Sequence, residues 1–408
     1  MKQVFKKSER DKQVIESLVR SHGPISQIGL FDLTNLRRST ISSMTRELIA
    51  EGKLVESGRS NNPRGRKQVL LEINCKFGFI AVLQFDDEQV TAAVTDLVPS
   101  ILHQISEPTC LSEGQAGLIA QLQSCMRRVI EEYGLKRSQL IGIGIADPGL
   151  VESRTGVTLM SSTIDFWREV PLGAIFREEF GVPVIVESKT RAKTLAEQKL
   201  GVGERNKNLI YLDYGAGIGA GMIIDGNLLY GANCGVGEVG HVNNFDSRTV
   251  CKCGSIGCLE AIAGANAVER QVRKALAEGA SSQVVALARQ ANSKITAWLA
   301  FQAACDGDKT CGHIVSEIGG YIGVAVANLV NLFNPSVVVL DQRLGLAGQQ
   351  LLDQITRIVK ANALANYSSN LIIRFGALGE DAGILGTALA VLDDYFEVPV
   401  LGPSTAQG

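Results

Sequence analysis

The 408-residue chain is 45% apolar and 20% charged, a composition that builds ordinary globular cores and excludes a disordered or fibrous protein. Its length implies two or three domains; no segment resembles a signal peptide or an apolar run of about 18 residues, so a cytoplasmic setting without membrane insertion is expected. The net charge of −2 is unevenly spread: residues 1–67 hold 14 Lys and Arg against 7 Asp and Glu, which leaves −9 for the remainder. A basic head on an acidic body points to a polyanionic partner for the head.

In the head, Val14, Ile15, Leu18 and Val19 recur at helical spacing, and His22-Gly23-Pro24 ends that helix. Ile25 to Leu33 reads as a short second helix with Ser26 as its N-cap. A third helix follows, with Ile41, Met44, Leu48 and Ile49 as its apolar stripe and Gly52 at its C-terminal end. Its first turns and other face carry Arg37, Arg38, Ser39, Thr40, Ser42, Ser43 and Arg46, short polar and basic side chains of the kind a helix presents to base edges in the major groove. Leu54–Glu56 and Val69–Ile73 read as a hairpin with residues 58–67 at its tip. Arg64 and Arg66 flank a glycine there and fit a narrow minor groove, whereas Lys53 and Lys67 suit phosphate contacts. Together these features predict a winged helix-turn-helix domain over residues 1–74 that binds a double-stranded DNA operator; the alternative is a small helical dimerisation domain.

The body begins with strands at 77–85, 90–95 and 101–105, a helix at 118–133, strands at 140–146 and 183–187, and a helix at 189–200. A similar series repeats: strands at 208–214, 219–224 and 228–230, a long helix at 313–332, a strand at 337–340, a helix at 347–362, a strand at 371–375 and a final helix at 381–394. Two such blocks predict an α/β body of two lobes facing a cleft, divided as residues 75–198, 199–378 and a C-terminal segment, 379–408, whose helix packs back on the first lobe.

Within the second block, Glu238 to Glu260 holds His241, Cys251, Cys253 and Cys258. Three thiolates and an imidazole make a Cys₃His set that closes a tetrahedral zinc site, with no open position for water and hence a structural role for Zn²⁺. The alternative is buried, reduced cysteines of packing value. Cys75, Cys110, Cys125, Cys234, Cys305 and Cys311 lack ligand spacing and are taken as packing residues.

The chain resembles the ROK family (repressors, open reading frames, kinases). The resemblance rests on E-V-G-H at 238–241, C-K-C-G-S-I-G-C-L-E at 251–260, G-I-G-I-A-D-P-G at 142–149, G-A-G-I-G-A-G at 215–221 and N-L-F-N-P-S-V-V-V-L at 331–340, together with the N-terminal head. It implies an actin-like, ribonuclease H-like sugar-kinase fold. The head-plus-body layout implies a transcriptional regulator of sugar uptake or metabolism, working as a homodimer or homotetramer; the alternative is a sugar kinase with an accessory DNA-binding head. Glu238, His241 and Glu260 would then face sugar hydroxyls, with Thr163 in the loop that contacts the sugar.

Three departures argue against catalysis. Lys189 stands where the family has its catalytic aspartate, and an ammonium cannot accept a hydroxyl proton. Asp86-Asp87 replaces the glycines of the first phosphate loop, and Asp341-Gln342 replaces a Gly-Gly pair near the nucleotide. Lys189, with Arg191, suggests an anionic effector, a sugar phosphate or sugar acid rather than a plain sugar. The competing expectation is that Lys189 pairs internally with Glu187, Glu238 or Glu260 and that the site is empty. The resemblance also allows control by a regulatory protein partner on the body's surface.

Overall fold

The computed structural model describes residues 7–60, 67–203, 206–243 and 247–398. The head contains α1 (Lys7–His22), a two-residue strand β1 (Ile25–Ser26), α2 (Gln27–Leu33), α3 (Arg38–Ala50), β2 (Leu54–Arg59) and β3 (Val69–Ile73). The Ser26 hydroxyl caps α2 by accepting from the Gly29 N–H at 3.1 Å. The Gln27 amide donates to the Thr45 hydroxyl at 3.0 Å, which fixes α2 against α3. Ile15, Val19, Leu30, Ile41, Met44 and Leu48 close the core beneath the antiparallel pair β2–β3.

The first lobe runs through β4 (Phe79–Phe85), β5 (Gln89–Thr95), β6 (Ile101–Pro108), α4 (Gly114–Tyr133), β7 (Leu140–Asp147), β8 (Leu150–Glu152), β9 (Val157–Met160), β10 (Arg168–Val170), α5 (Leu172–Phe180), β11 (Val184–Ser188) and α6 (Lys189–Lys199). Its main sheet has the order β11-β7-β4-β5-β6, with β11, β7 and β4 parallel and β5 and β6 antiparallel. The second lobe contains β12 (Leu209–Tyr214), β13 (Ile218–Ile224), β14 (Asn227–Leu228), α7 (Leu259–Ala263), α8 (Ala265–Ala277), α9 (Val284–Gln290), α10 (Ala297–Cys305), α11 (Lys309–Phe333), β15 (Val337–Leu340), α12 (Gln349–Asn362), α13 (Ala365–Ser368) and β16 (Ile372–Phe375), and α14 (Ala382–Tyr395) closes the described chain. The sheet order β14-β13-β12-β15-β16 repeats the pattern of the first lobe. Burying Val, Ile and Leu on both faces is what lets a mixed sheet carry helices on each side.

α14 lies across the first-lobe sheet and along α6. Gly142 and Gly144 of β7 make this approach possible: a Cβ there would stand 2.8 Å from Val391 and 2.6 Å from Thr387. The other end of α14 meets the head. Ile15 and Val19 share one apolar cluster with Val391, Leu392 and Phe396, and Arg20 pairs with Asp393 at 2.6 Å.

The structure departs from the sequence reading in several places. The short strands β8–β10 and the helices α5 and α7–α10 escaped it; all but α8 are nine residues or shorter, and α8, of 13 residues, buries Ala265, Ala267, Val268 and Val272. The strand expected at 228–230 pairs only through Asn227–Leu228. α11 is long and apolar enough to cross a bilayer, contrary to the sequence reading, but Ile318, Ile322, Val326 and Val330 bury it in the second lobe's core. Cys125 and Cys311 are buried as expected, whereas Cys305 is exposed.

Candidate functional site

A cleft of about 460 Å³ opens between the lobes. Its walls come from the loop after β4, the N-terminus of α6, the glycine turn between β12 and β13, the Glu238–His241 segment, and the starts of α7 and α8. All five residues expected to face an effector, Glu238, His241, Glu260, Lys189 and Thr163, line it.

The loop 251–258 sits on one wall. The Cys251 N–H bonds the Ser255 carbonyl at 2.8 Å, and Gly254 and Gly257 take φ of +92° and +77°, which side chains disfavour. This tight knuckle brings ligand atoms of His241, Cys251, Cys253 and Cys258 within 4.8 Å of one another. The Cys253 and Cys258 sulfurs are 3.7 Å apart, and His241 Nδ1 is 3.8 Å from the Cys251 sulfur. Tetrahedral Zn–S bonds of about 2.3 Å place sulfurs about 3.8 Å apart, so the cluster has the dimensions of a four-coordinate site and could hold a metal ion. The thiols differ: the backbone N–H of Ser255 lowers Cys253 to about 6, while burial raises Cys251 and pushes Cys258 up to about 12. Three crowded thiols ionise together only around a cation.

The same wall carries the free carboxylates. Glu260 lies two residues past Cys258 and accepts from the Ile218 N–H at 3.2 Å. His241 bridges the sulfurs and the cleft, with Nε2 4.0 Å from the Glu238 carboxylate. Desolvation raises the Glu238 carboxyl above its ordinary range, opposed by His241 and reinforced by Glu260.

The floor is different. Lys189 pairs with Asp86 at 2.6 Å, not with Glu187, Glu238 or Glu260. The other oxygen of Asp86 accepts from the N–H groups of Glu88 and Gln89, each at 2.9 Å. Burial pushes the Asp86 carboxyl up, but Lys189 and those donors outweigh it and hold it low. Arg191 is also spent: its guanidinium bonds Glu187 at 2.6 Å and the carbonyls of Cys234 and Val151 at 2.7 and 3.0 Å. An anion meeting Lys189 and Arg191 is therefore not what the floor offers, because both charges already have partners.

Asp341, directly after β15, lies inside a buried network that sequence reasoning missed. It accepts from Lys193 at 3.0 Å, from Arg343 at 3.0 and 3.1 Å and from Tyr211 at 3.1 Å, and Lys193 also reaches Asp213 at 2.8 Å. Lys193 and Arg343 hold the Asp341 carboxyl well below its usual range against the cost of burial. Lys189 and Asp86 thus answer each other, whereas Asp341 belongs to a separate network with cations of its own.

In the head, Arg37, Arg38, Ser39, Ser43 and Arg46 are exposed, and Thr40 and Ser42 half-exposed, on one face of α3. The Arg38 guanidinium lies 4.8 Å over the Phe31 ring, and Arg46 reaches the Ser42 hydroxyl at 3.4 Å. Lys67 is exposed, while Arg64 and Arg66 lie outside the described residues. Lys53, expected to touch phosphate, instead pairs with Glu16 at 2.9 Å and is only partly exposed.

These features define a two-lobed α/β protein of sugar-kinase-like fold with a potential metal-binding loop on one wall of its cleft. The sequence model of the ROK family matches residues 87–394, and the chain belongs to the ROK family. Over 389 residues it is 29% identical to a protein named xylose repressor from Caldicellulosiruptor bescii, covering 95% of this chain and 97% of that one. It is 33% identical over 280 residues to a protein named glucokinase from Halalkalibacterium halodurans, covering 68% of this chain and 84% of that one. A crystal structure described as a ROK family transcriptional regulator, homologous to Mlc of Escherichia coli, superposes with a TM-score of 0.81 at 27% identity, covering 95% of this chain and 98% of that one.

Proposed function

We propose that the chain is a sequence-specific DNA-binding transcriptional repressor of carbohydrate-uptake or carbohydrate-metabolism genes, with a kinase-derived body that senses a sugar-related effector. Residues 1–74 form its winged helix-turn-helix domain, 75–198 and 199–378 its two lobes, and 379–408 the C-terminal helix and tail. The carrying observation is the exposed face of α3, where Arg37, Arg38, Ser39, Thr40, Ser42, Ser43 and Arg46 lie clear of the head's core. A cytoplasmic homodimer or homotetramer presents two such helices to a pseudo-palindromic operator. Arg64 and Arg66 enter the minor groove and Lys67 contacts phosphate. Zn²⁺ held by His241, Cys251, Cys253 and Cys258 fixes the loop that aims Glu238 and Glu260 at sugar hydroxyls, which two carboxylates accept well. The ion supplies a rigid anchor and no reaction step.

The effector in this reading is uncharged, since Lys189 and Arg191 are already paired. The same pairing supports a non-enzyme: an ammonium bonded to Asp86 offers no proton acceptor. The relative named glucokinase favours a second reading, a sugar kinase with an accessory head. Sugar-dependent ATP consumption by the purified chain would establish that second reading, and its absence is expected. Selection of bound sequences from genomic DNA, followed by binding measurements, tests the first. Arg38→Ala should weaken specific binding by about 1–3 kcal/mol and relax one base position. Lys67→Ala should weaken all sequences alike and flatten the salt dependence by about one unit. Equal affinity for every duplex in wild-type protein would sink the operator reading.

A further inference from the structure

We propose that the cleft takes an effector of two linked sugar units, the first against Glu238, His241 and Glu260 and the second beside Asn266, Lys294 and Trp298. This rests on reading the body as a carbohydrate sensor and names the size and chemistry of what is sensed. Volume is the first argument. A pyranose displaces on the order of six waters of ~30 Å³ each, so one ring leaves more than half of the cleft's about 460 Å³ empty. A side chamber of about 100 Å³ adjoins it and shares Glu260 and Asn266 as lining.

Charge decides what fills the remainder. Seven carboxylates line the cleft against four cationic side chains. Three of those cations, Lys189, Arg191 and Arg343, already hold carboxylates at 2.6, 2.6 and 3.0 Å. In the cleft a phosphate would find Lys294, with Lys252 and Arg270 only in the side chamber, and would face Asp87 and Glu88, whose carboxyls desolvation and neighbouring carboxylates already push up. A nucleotide is therefore a poor occupant. Sugar hydroxyls suit the compartment because they donate to carboxylates and carry no charge.

The two compartments are joined. The turn from Gly215 to Gly219 passes between them: a Cβ on Gly217 would stand 3.2 Å from Glu260, and one on Gly215 would stand 3.4 Å from Arg343. The floor therefore carries no side chain at either glycine. The half-buried Trp298 indole lines the cleft with Arg343 4.9 Å over its ring and Tyr214 and Phe301 against it, and offers a second ring only the apolar surface those neighbours leave uncovered. Asn266, exposed in the first turn of α8, offers both a donor and an acceptor where the chambers meet.

Calorimetry on the full chain, loaded with zinc, tests this with xylose, glucose, xylobiose, cellobiose and maltose, and with glucose 6-phosphate and ATP as anionic probes. At least one disaccharide should bind about tenfold or more tightly than its own monosaccharide, and both anions should bind more weakly. Asn266→Ala removes the bridging amide and Asn266→Phe fills its space. Both sit at an exposed position and should return the ratio of disaccharide to monosaccharide affinity to near one. Equal affinity for one and two rings, tighter binding of either anion, or an unaltered ratio in both variants would overturn the inference and leave the sensor reading standing. If no sugar of either size binds while operator DNA is still bound, the sensor reading fails and this inference with it.

Discussion

The two sides of the cleft use their charged groups in opposite ways. On the wall beside the cysteine loop, Glu238 and Glu260 have, among the described residues, no cation within ion-pair distance except His241, at 4.0 Å from Glu238. On the floor, Lys189, Arg191, Lys193 and Arg343 all hold carboxylates within the molecule. Unpaired carboxylates held by a rigid loop remain available to a ligand, whereas a saturated network only stabilises. The difference teaches that one side of the cleft leaves its carboxylates open to a ligand while the other spends its charges on internal ion pairs.

Four changes break or sharpen that contrast. The largest effect is expected from the wall's anchor. Cys258→Ser should reduce bound metal from about one ion per chain to near none and lower the melting temperature, because metal affinity here is folding free energy; metal analysis and calorimetry read both. Full metal content in this variant would remove His241, Cys251, Cys253 and Cys258 as one site.

The floor's network comes next. Asp341→Ala leaves Lys193, with a side chain only 5% exposed, short of a partner. A loss of about 3–5 kcal/mol in urea unfolding is expected. Acid acts on the same group. The folded pKa of Asp341 is depressed, so its stabilisation is complete above the unfolded value of about 3.9 and is lost as the pH falls toward the folded one. The D341A variant should show a flatter acid limb than the wild type.

Lys189→Met should cost less, below about 1 kcal/mol, because the Asp86 side chain is 31% exposed and water recovers part of its solvation. Restored ATP consumption in that variant would contradict the view that the floor is only structural. The smallest stability effect belongs to Glu238→Gln, at 59% side-chain exposure: a change within about 0.5 kcal/mol is expected, together with a roughly tenfold loss of sugar affinity. Unchanged affinity would move the ligand away from this wall.

Much of the architecture was legible from local pattern. The stripe Ile41, Met44, Leu48 marked α3 and left its polar face outward, and the Cys-Gly spacing after His241 marked a knuckle that could hold a metal. The repeated order of strands marked two lobes. The brief elements between Leu150 and Val170 were not legible, because three- and four-residue strands leave no period to detect. Nor was the role of Lys53, which looked free in a basic head and is drawn to Glu16, 37 residues away.

What the sequence determined by itself is therefore what near neighbours decide: helix faces, and the tight loop that gathers His241, Cys251, Cys253 and Cys258. Only the tertiary structure decided which charges remain free. Lys189 meets Asp86 across 103 residues and Lys193 meets Asp341 across 148. Coulomb attraction and desolvation depend on distance and burial in space, and separation along the chain specifies neither.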